Sequence, residues 1–160
     1  MEQAVVTAIT HDATEAKVTV AGLPNRPGVA ARLFRALADR NVSVDMIVQN
    51  ASLEGTTAIS FTVPGFDLAV STEVSEALIP ELGATGVTSD SNVARVSLVG
   101  AGMKTHPGVT ALTFETLAKE GINIEMISTS TIRISCVVRA DCAETAVRVL
   151  HTAFDLANPS

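Results

Sequence analysis

The stretch "NRPGVAARLF" at residues 25–34 returns as "THPGVTALTF" at residues 105–114. This internal copy constrains the chain more than any other feature, because a repeated segment implies a repeated structural unit. The match extends to both sides. "KVTVAG" (17–22) pairs with "RVSLVG" (95–100), Phe34 with Phe114, Leu37-Ala38 with Leu117-Ala118, and "NVSVDMI" (41–47) with "GINIEMI" (121–127). From Pro27 to Ile47 the alignment runs without a gap.

Both copies read as the same order of elements. The β-branched run 17–22 is a strand that ends at Gly22. Pro27 suits the first turn of a helix, where its missing N–H costs nothing. Val29, Leu33 and Leu37, with Phe34 beside them, form a helical stripe across 27–40. Val42, Val44, Met46 and Val48 then alternate with polar residues up to Gln49, the period of a half-buried strand. "LEGTT" makes a turn, 57–63 a partner strand, and Leu68 to Leu82 a second helix. The second copy predicts a strand at 94–100, a helix at 107–120, strands at 122–129 and 132–139, and a helix at 141–154.

Each unit is therefore strand, helix, strand, strand, helix, and one more strand would complete a ferredoxin-like βαββαβ sheet. "GATGVTSDS" (83–91) can supply it for the first unit, whereas "DLANPS" cannot for the second. "AVVTAIT" (4–10), meanwhile, reads as a strand with no unit of its own. The economical solution is an α+β chain of two such units, 16–92 and 93–156, with the N-terminal strand 3–10 completing the second sheet.

Composition narrows the function. The chain is 47% apolar with five Phe and no Trp or Tyr, so its core is aliphatic. A net charge of −6 argues against nucleic acid, which needs basic patches and stacking platforms. No secretory leader or membrane-length apolar run is present, which makes a cytoplasmic location the expectation. Cys136 and Cys142 match no zinc spacing and read as free thiols. His11, His106 and His151 share no metal pattern, and no nucleotide or nucleophile fingerprint occurs, so neither cofactor nor catalytic residue is expected.

The duplicated loop remains. It joins backbone N–H groups to the positive end of a helix, an environment that favours a carboxylate or phosphate. Gly28 and Gly108 leave room for a ligand to approach the backbone. The same Pro-Gly pair also makes a good strand-to-helix corner, and on these residues alone both readings stand.

"EAKVTVAGLPNRPGVAARLFRALADRNVSVDMIVQN" and "VARVSLVGAGMKTHPGVTALTFETLAKEGINIEMISTSTIRIS" resemble the paired ACT domains of aspartate kinase, and most closely its separate regulatory (β) subunit. The likeness covers nearly the whole chain. It implies a dimer through ACT domains, joined to a larger catalytic (α) chain that carries the kinase chemistry. It implies feedback inhibition by L-threonine, in some members jointly with L-lysine, bound where the first ACT unit of one chain meets the second unit of the other. Carried onto this sequence, the effector loop is Asn25, Arg26, Pro27, Gly28, Val29 and Ala30, with Gln49 nearby and Asn123 and Ile124 from the partner's strand. A mirrored site would use Thr105, His106, Pro107, Gly108 and Val109 with Val48 and Gln49.

Three positions depart from the family pattern: Asn25, Ala58 and Thr131 stand where it carries acids. Replacing a carboxylate by an amide removes a charge-assisted bond to an ammonium group. These changes support a second reading, an effector-insensitive scaffold that dimerises and stabilises the catalytic chain. A free-standing ACT sensor for another metabolite is a third.

Overall fold

A computed structural model describes residues 6–101 and 106–155. The chain divides into two compact units, one spanning Thr14–Ser91 and the other combining the N-terminal segment up to Ala13 with the chain from Asn92 onward.

The first unit contains β2 (Glu15–Pro24), α1 (Val29–Asp39), β3 (Ile47–Ala51), β4 (Thr56–Pro64), α2 (Leu68–Ala77), the single-turn α3 (Ile79–Leu82) and β5 (Gly86–Asp90). Its sheet has the order β3-β4-β2-β5, with every neighbouring pair antiparallel. The second unit contains β1 (Val6–Asp12), β6 (Val93–Gly100), α4 (Pro107–Lys119), β7 (Met126–Thr129), β8 (Arg133–Arg139) and α5 (Ala143–Ala153), with sheet order β1-β6-β8-β7. The two orders correspond strand for strand once β1 takes the place that β5 holds in the first unit. The N-terminal strand thus completes the second sheet, antiparallel to β6 from Val6 opposite Gly100 to Asp12 opposite Arg95. Residues 3–5 of the expected strand lie outside the described residues.

Alternation decides which face each strand buries. Val18 and Val20 of β2 with Ile59, Phe61 and Val63 of β4 meet Leu33 and Leu37 of α1 in the first core. Phe61 and Phe34 pack edge to face, with ring centroids 5.5 Å apart. In the second core Val96, Leu98, Ile134, Cys136 and Val138 meet Leu117 and Leu150, closed on one side by Val6 and Ile9 of β1. Burial holds the Cys136 proton, pushing its thiol up to about 12. The other sheet face carries hydroxyl pairs at equivalent places, Thr19 with Ser60 (2.8 Å) and Ser97 with Ser135 (3.1 Å).

Local chemistry moves several boundaries. The strand expected to stop at Gly22 runs on to Pro24 across a register shift, with Gly22 at φ 69°. A Cβ at Gly22 would collide with the Thr85 side chain, so only glycine fits there. The helix expected over 68–82 breaks at Leu78, because Pro80 cannot donate the next backbone bond. Ladder pairing in β3 begins only at Ile47. Just before it, the Asp45 N–H (to the carbonyl, 2.9 Å) and the Met46 N–H (to Oγ1, 3.0 Å) both converge on Thr62.

Ser71 on α2 is fully buried and its Oγ has no hydrogen-bond partner. An unsatisfied buried hydroxyl destabilises, so Ser71→Ala is expected to raise unfolding free energy by about 1 kcal/mol. Urea titration checks this; a lowered midpoint would mean that the hydroxyl has a partner in solution.

Candidate functional site

The loop into α1 is set by one residue conformation. Gly28 is the N-cap of α1, at φ 94° in the left-handed region, and a Cβ added there would meet no atom within 4 Å. The first backbone bond of the helix runs from the Arg32 N–H to the Gly28 carbonyl (3.0 Å). The N–H groups of Val29, Ala30 and Ala31 therefore have no acceptor inside the helix. Nor does a side chain cap this end. A cavity of about 240 Å³ opens beside it, lined by Arg26, Pro27, Gly28, Val29, Arg32, Glu81 and Leu82. Donors left unbonded by the helix, its positive end and the Arg26 side chain favour an anion here, while Glu81 already brings a carboxylate to Arg32.

Arg32 and Glu81 were not legible in the sequence pattern as part of this site. Arg32 grips Glu81 through both carboxylate oxygens, Nε to Oε2 at 2.6 Å and Nη2 to Oε1 at 3.2 Å. The Glu81 hydrogen bond, reinforced by its charge, raises the Arg32 pKa. The contact ties the first turn of α1 to α3 across 49 residues, a separation at which no local spacing signals a pair.

Among the described residues, the lead into α4 at 106–109 is not a copy of the lead into α1. Thr105 lies outside the described residues. Half-buried His106 is the N-cap of α4 and Pro107 opens the helix, so Gly108 falls inside it. Pro107 brings no N–H, and the Val109 N–H is donated to the His106 carbonyl (3.0 Å). Among the described residues, fewer backbone donors are left over at this helix start than at Gly28. In the first loop, by contrast, Pro27 stays ahead of the helix, which begins at Val29.

The remaining candidates are dispersed. Asn25, Arg26, Pro27 and Gly28 are exposed, Ala30 is half-buried, and Val29 is buried as an anchor of α1. Val48 and Gln49 lie on β3 opposite Ser60 and Ile59, with Gln49 exposed. Asn123 is exposed ahead of β7, and Ile124 packs partly into the second core. Neither Asn25, Ala30 nor Gln49 lines the cavity at Gly28. Ala58 sits on β4 opposite Asn50, and Thr131 in the turn closed by the Ser130 N–H to the Arg133 carbonyl (2.8 Å). Edge strands β3 and β7 each present an exposed isoleucine at the equivalent position, Ile47 (52% exposed) and Ile127 (45%).

Comparison with known proteins identifies the family and the fold. A family model described as an ACT domain matches residues 17–74 and again 96–154. An aspartokinase from Corynebacterium glutamicum is 49% identical over 158 residues, which is 98% of this chain and 38% of that enzyme. The chain thus spans about two fifths of the length of that relative. The solved structure of aspartokinase alpha and beta subunits superposes with a TM-score of 0.89 at 47% identity, covering 94% of this chain and 99% of the matched one. The ligand-free regulatory subunit of aspartate kinase from Thermus thermophilus superposes equally well (TM-score 0.89, 38% identity, 94% and 99% covered). With two family matches, the same four-stranded order in both sheets and near-complete overlap with solved regulatory chains, the chain belongs to the ACT-domain family, among the paired regulatory domains of aspartokinases.

Proposed function

We propose that this chain is an amino-acid-sensing regulatory subunit of aspartate kinase, and that the loop at Gly28 holds the carboxylate of L-threonine. The observation that carries the reading is the left-handed Gly28 N-cap, which leaves the Val29, Ala30 and Ala31 N–H groups open beside a cavity. A zwitterion also needs acceptors for its ammonium and a partner for its hydroxyl. Gln49 and Asn25, both outside the cavity lining, are the candidates for side-chain oxygens, and the Asn123–Ile124 backbone of a partner chain for the rest. The unpaired edges of β3 and β7, each with its exposed isoleucine, suit pairing of the first unit of one chain with the second unit of another. The mirrored loop at His106–Val109 is the weaker site, since it offers fewer donors.

Function then follows as coupling. Threonine binds one quaternary arrangement better than another and so shifts the catalytic chain toward its inactive state. The neutral residues at 25, 58 and 131 favour a second reading, a scaffold that keeps the dimer and has lost the effector.

Calorimetric titration with L-threonine, then L-lysine, with D-threonine as control, separates the two. Stereoselective threonine binding with a Kd of roughly micromolar order, as for other specific small-ligand sites, is the expected result. Absence of heat with all three, from a folded dimer, would establish the scaffold instead.

A further inference from the structure

The repeat conserves the positions of four surface charges and inverts the sign of each. On the outer faces of α1 and α4, Arg35 corresponds to Glu115, Asp39 to Lys119 and Arg40 to Glu120. On α2 and α5, which follow equivalent single turns at Gly65–Asp67 and Ala140–Cys142, Glu73 corresponds to Arg148. Arg40 pairs with Glu73 (3.5 Å), and Arg35 with Asp39 (3.3 Å) one turn along the same helix. Glu120 and Arg148 line one cavity of about 500 Å³ between α4 and α5. Its counterpart between α1 and α2, about 300 Å³, is lined by Arg40 and Glu73. Arg40 and Glu120 are also the C-cap residues of their helices, so the positions match in detail.

Each unit thus keeps a cross-helix pair of opposite charges, but with the polarity exchanged. Two similar units on one chain can trade helices while folding, a recurrent failure of repeated domains. Here the trade is penalised. Setting α5 against α1 would bring Arg148 to Arg40, and setting α2 against α4 would bring Glu73 to Glu120. Core volumes push the same way: the first unit has Phe61 and Ser75 where the second has Cys136 and Leu150. Charge acts at longer range than packing, so it can bias helix pairing before the cores close.

We infer that the inverted charges at 40/73 and 120/148 are a registry code that keeps α1 with α2 and α4 with α5 during folding. The code is independent of whether an effector binds.

The test inverts one unit only. The double variant Arg40→Glu/Glu73→Arg retains an opposite pair within the first unit while giving both units the same polarity. Its midpoint in urea should match the unaltered chain. After dilution from denaturant at high protein concentration, its helix-exchanged oligomers, resolved by size exclusion with light scattering, should rise about fivefold. Adding Glu120→Arg and Arg148→Glu restores opposite polarity between units and should restore the original yield. A double variant that refolds as cleanly as the unaltered chain would overturn the proposal, and so would a quadruple variant that fails to recover.

Discussion

Gly28→Asp is expected to weaken threonine binding at least about 100-fold, equivalent to about 3 kcal/mol, while leaving the chain folded. Two effects add. The new carboxylate lies at the position where the effector's own carboxylate meets the α1 N-terminus. Like charges about 4 Å apart repel by about 1 kcal/mol in water and several times that where solvent is partly excluded. A Cβ also fills the backbone approach that glycine leaves open. Folding should suffer little. Nothing lies within 4 Å of the new Cβ. What remains is the strain of a side chain at φ 94°, about 1 kcal/mol. Gly28→Ala isolates that strain and the lost space from the charge. If alanine binds nearly normally and aspartate does not, electrostatics at the helix end carries the site. Unchanged threonine affinity in the aspartate variant would place the effector elsewhere.

The same glycine marks the border of what the sequence could reveal. Duplication exposed both loops, and hydrophobic period placed strand and helix around each of them. The repeat also implied equivalence, and there it misled. The left-handed turn at Gly28 puts the helix start at Val29, whereas Pro107 starts its helix one residue ahead of Gly108. One Pro-Gly-Val triplet supports both outcomes, because proline fixes only its own φ and glycine permits either sign of φ. The Arg32–Glu81 contact was out of reach for a different reason: α3 exists only because Pro80 breaks the preceding helix, and its acid meets α1 only after the sheet has formed. Likewise the Thr62 hydroxyl that draws in the Met46 N–H leaves no mark on a hydrophobic period. Side chains that bond to backbone are visible in position but not in aim.

The strand count was legible because it rests on arithmetic over the whole chain, and it leads to the other large expected effect. Deleting residues 1–12 should unfold the second unit and leave the first intact. Val6 and Ile9, 2% and 6% exposed, close that core, and burying each contributes about 2 kcal/mol. Removal also strips the ladder to β6 and turns β6, now in the sheet interior, into an edge. Together these losses reach about 5 kcal/mol or more, the low end of the stability of a whole domain. Hydrogen exchange reads the two units separately: amides of β6 and β8 should lose protection, while those of β2 and β4 keep theirs. Appending "VTAITHD" after α5 through a short flexible linker should then restore protection, because the strand would enter the same slot from the position β5 occupies in the first unit. Continued protection of β6 and β8 in the deletion variant would mean that β1 covers the sheet without holding it. Recovery in the permuted chain would instead show that the two units differ in connectivity and share one folding plan, with the N-terminal strand supplying from the front what the first unit draws from its own C-terminal end.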